Sequence, residues 1–101
     1  MASLEETHQF REKCNYLIEL GEKLDRLEQN RDFQALFLQY YLKELSVQLV
    51  HSIAKTPIED LKDKMVGIAQ FTAFMEQVKQ QALQAKVDLQ ELINMQKEQE
   101  L

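Results

Sequence analysis

Apolar positions recur along this chain at the intervals of helices. Phe10, Leu17 and Leu24 fall seven apart, Leu20 and Leu27 are interleaved with them, and Cys14 and Gly21 widen the stripe. A period near 3.5 predicts a helix over about 4–28 that packs along its length against others. Ser3 and Glu6 open it as a capping box, the hydroxyl accepting from the Glu6 amide while the carboxylate reaches back. Glu5 and Glu6 also suit the positive end of the helix dipole.

Gln29-Asn30-Arg31-Asp32 is a polar break with Asn30 as the cap of the next helix, predicted over 31–54. This helix reads as apolar on two faces. Phe33, Phe37, Tyr40, Val47 and Ala54 form one stripe; Leu38, Leu42, Leu45, Leu49 and Ile53 form another. So wide an apolar girth predicts cover on more than one side, from sister helices or a partner chain.

Thr56-Pro57-Ile58-Glu59 carries the signature of a second capping box, with proline in the first turn, where its missing N–H costs nothing. Ala54-Lys55 is then a tight connection that sets the second and third helices antiparallel. The third helix is predicted over 57–97. Leu61, Ile68, Met75, Ala82 and Leu89 share one heptad position; Phe71, Val78, Ala85 and Leu92 share its partner, and only Lys64 breaks the pattern. Gly67 costs about 1 kcal/mol relative to alanine in mid-helix and is expected to mark a close crossing.

The expected architecture is therefore all-α: a single domain over 1–101, a three-helix antiparallel hairpin bundle with a long, coiled-coil-like C-terminal helix. At 1.5 Å per residue the third helix spans roughly 60 Å and the others roughly 36 Å each. The stretch from Ala82 to Met95 is then expected to project with its apolar seam uncovered, which points to a partner. Leu83, Leu89, Leu92, Ile93 and Met95 are the contact candidates there. Tyr41 is a further one, because Tyr40 and Tyr41 point about 100° apart on an α-helix and one of them must face away from the core.

Composition narrows the function classes. Two glycines and one proline among 101 residues cannot supply the turns of a β-sandwich or barrel. A formal net charge of −5 repels phosphate backbones and disfavours both nucleic acid and anionic membrane as partners. The single cysteine, Cys14, excludes an internal disulfide and reads as a buried thiol. No apolar run is long enough to span a bilayer, and the acidic start lacks the features of a signal peptide, so a cytoplasmic location is expected.

No catalytic, cofactor or metal constellation is legible. His8 and His51 lie on different helices without the pairing a metal site needs. Asp25, Glu28 and Asp32, and likewise Glu59, Asp60 and Asp63, sit near helix ends, where acidic residues are ordinary. There is no glycine-rich phosphate loop, although Arg31 or Lys55 could assist an anion at a helix start.

The stretch Leu24-Asp25-Arg26-Leu27-Glu28-Gln29-Asn30-Arg31-Asp32-Phe33, continued by Tyr40-Tyr41-Leu42-Lys43-Glu44 and by Ile68 to Met75, resembles small helical proteins of tailed bacteriophages. Those proteins show a leucine-pair helix, then Asn-x-Asp-Phe, then an aromatic pair or Gly-Tyr followed by acidic residues. The resemblance implies a role in virion structure, virion assembly or host interference, in the host cytoplasm or the virion, and carries no catalytic residues. The expectation is a non-enzymatic homo-oligomer, or a partner of another helical protein, acting as a virion structural or assembly component. The alternative is a small regulatory or anti-defence protein that sequesters a host protein or a nucleotide signal.

Overall fold

The computed structural model describes residues 3–100, and every regular element among them is helical. Helix α1 spans Leu4–Gln29. After the single residue Asn30, α2 runs over 31–52 as three joined stretches: α-helical Arg31–Phe33, π-helical Gln34–Glu44 and α-helical Leu45–Ser52. Helix α3 spans Ile58–Glu100 without a break, 43 residues in all. The fold is all-α, with three helices and the longest at the C-terminus.

Two helix starts show how local chemistry sets these boundaries. At α1 the Ser3 amide donates to the Glu6 carboxylate at 3.3 Å and the Glu6 amide to the Ser3 hydroxyl at 3.1 Å, a complete capping box. At α2 the Asn30 side-chain oxygen accepts from the Phe33 amide at 3.0 Å, with Asn30 itself extended. The third expected cap is absent. Helix α3 begins at Ile58, the Asp60 amide donates to the Pro57 carbonyl, and the Thr56 hydroxyl makes no hydrogen bond among the described residues. Asn30→Ala should therefore cost about 1 kcal/mol in thermal unfolding, while Thr56→Ala stays within about 0.5 kcal/mol of the parent. Equal losses at both positions would mean Thr56 does cap α3.

The chain divides into two compact units. The first comprises residues 1–24 with 77–101, the second 25–76. Within the first, α1 lies antiparallel to the later part of α3. The Arg11 guanidinium donates to the Gln96 side-chain oxygen at 2.8 Å, and Gly21 sits against Ala82. The seam between them is made of small residues: Cys14, Gly21, Ala82 and Ala85 are buried, Ala85 to 2% exposure. A Cβ added at Gly21 would lie 2.5 Å from that of Ala82, far inside van der Waals contact, so the missing side chain is what lets the helices meet.

This overturns the expected overhang. The seam of Ala82 and Ala85 is not bare; α1 covers it. The close approach falls at Gly21 and not at Gly67, where a Cβ would meet only the Tyr41 hydroxyl at an ordinary 3.5 Å. Gly67→Ala should consequently raise stability by up to about 1 kcal/mol, the helix-propensity difference, and a loss would show that the turn of helix there is tighter than described.

In the second unit, α2 packs antiparallel on the first part of α3 through an aromatic cluster. Phe33 stacks on Phe37 at 5.2 Å, Phe37 on Phe71 at 5.5 Å, and Tyr41 meets Phe71 edge-on at 5.6 Å. The π-helical stretch explains why one helix can hold so many apolar residues. Phe33, Phe37, Leu38, Tyr41, Leu42, Leu45, Ser46 and Leu49 are the buried or half-buried positions of α2 before its last turn, in two series with steps of four, one from Phe33 to Leu49 and one from Leu38 to Ser46. At the α-helical 100° per residue they would spread over more than half the circumference. A π turn, at about 4.4 residues, gathers Phe37, Leu38, Tyr41 and Leu42 into an arc of roughly 115°. The two stripes expected from the sequence thus largely merge into one face turned toward α3. Tyr40 and Val47, assigned to a stripe, fall outside it and are exposed.

Candidate partner-binding surface

Each unit is essentially a pair of helices, and a pair cannot enclose its side chains. No described residue has a side chain below 2% exposure, and the buried hydrophobic set is limited to Cys14, Phe33, Leu61, Met75, Ala82 and Ala85. The side chains left over are large. Leu4, Phe10, Tyr16, Leu83, Val87 and Met95 are exposed in the first unit. In the second, Val50 is 63% exposed and Ile58 57%, with Met65, Val66 and Phe74 also open to solvent.

The candidate contact residues separate into two groups on this surface. Leu83 and Met95 are exposed at 56% and 57%, on the side of α3 away from its buried seam. Leu89, Leu92 and Ile93 are half-buried, in the stretch of α3 that α1 borders between Ala82 and Gln96. Tyr41 is half-buried as well. Its ring lies on Phe71 and, at 6.4 Å, on Phe37, so it belongs to the aromatic cluster, and its neighbour Tyr40 is the outward member of the pair. The π turns reverse the choice that an α-helical reading of α2 had offered.

The residues that line an open apolar groove on the second unit were not among the candidates. On the second unit, a groove of about 210 Å³ between α2 and α3 is lined by Ser46, Leu49, Val50, Met65, Ile68 and Ala69. It continues along α3 over Ile58, Val66 and the same Met65 and Ala69, with Glu59 and Lys62 as the only charged groups. One signal for it was present in the sequence: Ile58, Met65 and Val66 are apolar yet stand off the heptad positions of Leu61, Ile68 and Phe71.

Polar chemistry is sparse. His8 Nε2 and a Glu12 carboxylate oxygen lie 3.0 Å apart on α1, with both side chains exposed. Cys14 is buried in the small-residue seam, and its thiol pKa is raised, first by desolvation and then by the Asp88 charge, with Lys13 opposing. That favours the neutral thiol over the nucleophilic thiolate. A second cleft, on the hairpin side that carries Tyr41, Ser52, Asp63 and Lys64, measures about 330 Å³. Among the described residues no group of His, Cys, Asp or Glu is placed to hold a metal, and no helix is long and apolar enough to cross a membrane. Compared with protein-family models, curated proteins and solved structures, the chain matches none of them.

Proposed function

We propose that this protein acts without catalysis, as a helical component that associates with its own kind in a larger assembly. The observation that carries the reading is the set of large apolar side chains each two-helix unit leaves open: Phe10, Tyr16, Leu83 and Val87 in the first, Val50, Ile58, Met65, Val66 and Phe74 in the second. Much of what is exposed is large and apolar, and a soluble monomer rarely leaves contiguous apolar patches of that kind in water. Association of copies covers those side chains and completes a core that two-helix pairs cannot close.

The setting follows from the resemblance of Leu24–Phe33 and Tyr40–Glu44 to small proteins of tailed bacteriophages, and the proposed role is a virion structural or assembly component acting in the host cytoplasm or the virion. Absolute mass by light scattering coupled to size exclusion tests the first half of this. The expected result is a defined multiple of 11.9 kDa that persists on dilution. A single-chain mass at every concentration would remove the basis for self-association.

A further inference from the structure

We infer that α2 has two registers on the first part of α3, and that the π-helical stretch Gln34–Glu44 is where one is exchanged for the other. In the register of the structure, Phe33, Phe37, Tyr41, Leu45 and Leu49 step by four on the face turned toward α3. In the second register the stretch is α-helical, and Leu36, Tyr40 and Val47 replace Tyr41, Leu45 and Leu49. Four large apolar side chains of α2 are open to solvent: Leu36, Tyr40, Val47 and Val50. At 100° per residue the first three fall within about 40° of arc, and with Phe33 and Phe37 they span about 100°. That is the width of an ordinary core-facing stripe. Tyr41, Leu45 and Leu49 then lie roughly 40–120° beyond its edge. The helix thus carries two apolar sets that share Phe33 and Phe37, and backbone geometry decides which of them meets α3.

Different costs oppose the two registers. The backbone favours the α-helical one, because π geometry is usually confined to single-turn bulges and here it runs for 11 residues. The side chains favour the π register, whose five residues are all uncharged. The α-helical stripe instead takes in Glu44, between Tyr40 and Val47, and His51 beyond them. Burying a carboxylate without a partner is costly. In the structure Glu44 is exposed, and the Gln39 side-chain amide donates to it at 3.5 Å. Glu44 is therefore the residue that holds α2 in the π register. Backbone and side chains that pull apart in this way make a bistable element, two packings of one sequence. Each register turns a different apolar set outward, so a molecule that binds the outward set of one draws α2 into it. The link over 53–57, between the end of α2 and Ile58, absorbs the rotation.

The test is which tyrosine ring touches Phe71 in the full chain, read by NMR. In the parent the expected contact is from Tyr41, whose ring centroid lies 5.6 Å from that of Phe71. In Glu44→Leu, which removes the charge from the α-helical stripe, the contact should pass to Tyr40, and Tyr41 should become open to solvent. Isotope-filtered spectra of mixed labelled and unlabelled protein show whether the contact lies within one chain. If Glu44→Leu fails to fold, Glu44→Gln, which removes the charge at nearly the same size, is read in the same way. The Tyr40–Phe71 contact is then expected beside the Tyr41–Phe71 contact. An unchanged Tyr41–Phe71 contact with Tyr40 still open to solvent would overturn the second register. A Tyr40–Phe71 contact found only between chains would overturn it as well, and would place Tyr40 in an interface.

Discussion

Gly21→Leu is expected to part α1 from α3 and to cost more than about 3 kcal/mol, a large share of the roughly 5–15 kcal/mol that holds a small protein together. The reason is geometric. The added Cβ would sit 2.5 Å from that of Ala82, an atom fixed to the backbone of α3 that cannot swing aside. Gly21→Ala isolates the same clash in its smallest form. Alanine gains about 1 kcal/mol of helix propensity, and overpacking costs about 1–3 kcal/mol, so the net result is neutral to about 2 kcal/mol of destabilisation. The swap Gly21→Ala with Ala82→Gly is the decisive comparison. It keeps one glycine and one alanine in the seam, so thermal unfolding should return close to the parent. Strictly additive losses in that double-mutant cycle would mean that positions 21 and 82 do not touch.

The second large effect is expected at Phe71. Its ring supports Phe37 at 5.5 Å and Tyr41 at 5.6 Å, so Phe71→Ala removes the floor of the aromatic cluster. Full burial would put the loss at about 3–5 kcal/mol; for a half-buried ring about 2–3 kcal/mol is expected, part of it from the two aromatic contacts. Phe74, three residues on, is 62% exposed and contributes no ring to the cluster, so Phe74→Ala should change stability by less than about 0.5 kcal/mol. Denaturant melts of the two variants provide the measurement. Similar losses at both positions would contradict the packing of α2 on α3.

What could be read from the sequence was what depends on near neighbours. The reciprocal Ser3–Glu6 cap and the Asn30 cap involve residues three apart, and both form. The all-α class followed from the scarcity of glycine and proline together with the long apolar periods. Pairing was harder, because a heptad stripe says that a helix is covered and not by what. Ala82 and Ala85 lie in the seam expected to wait for a partner; the helix that covers it is α1 of the same chain, met at Gly21. The Thr56 signature failed for a similar reason: residue types that are able to cap do so only if the backbone ahead of Ile58 places the hydroxyl over the first turn. The open face of the second unit was the least legible feature. Its residues are exposed precursors to packing in one chain, scattered off the heptads, and only the folded hairpin brings Val50 beside Met65.

The π-helical stretch from Gln34 to Glu44 has a consequence for how this gene product tolerates change in length. It works as a phase adjuster: apolar residues spaced nearly four apart are kept over α3, then handed to the ordinary α period at Leu45. Removing one residue from the stretch would shorten the chain trivially but advance the phase of everything downstream by about a quarter turn. Leu45 and Leu49 would rotate off the first part of α3 while every side chain involved remained the same. Insertions and deletions there are errors of phase, and the chain should resist them more strongly than it resists conservative substitution.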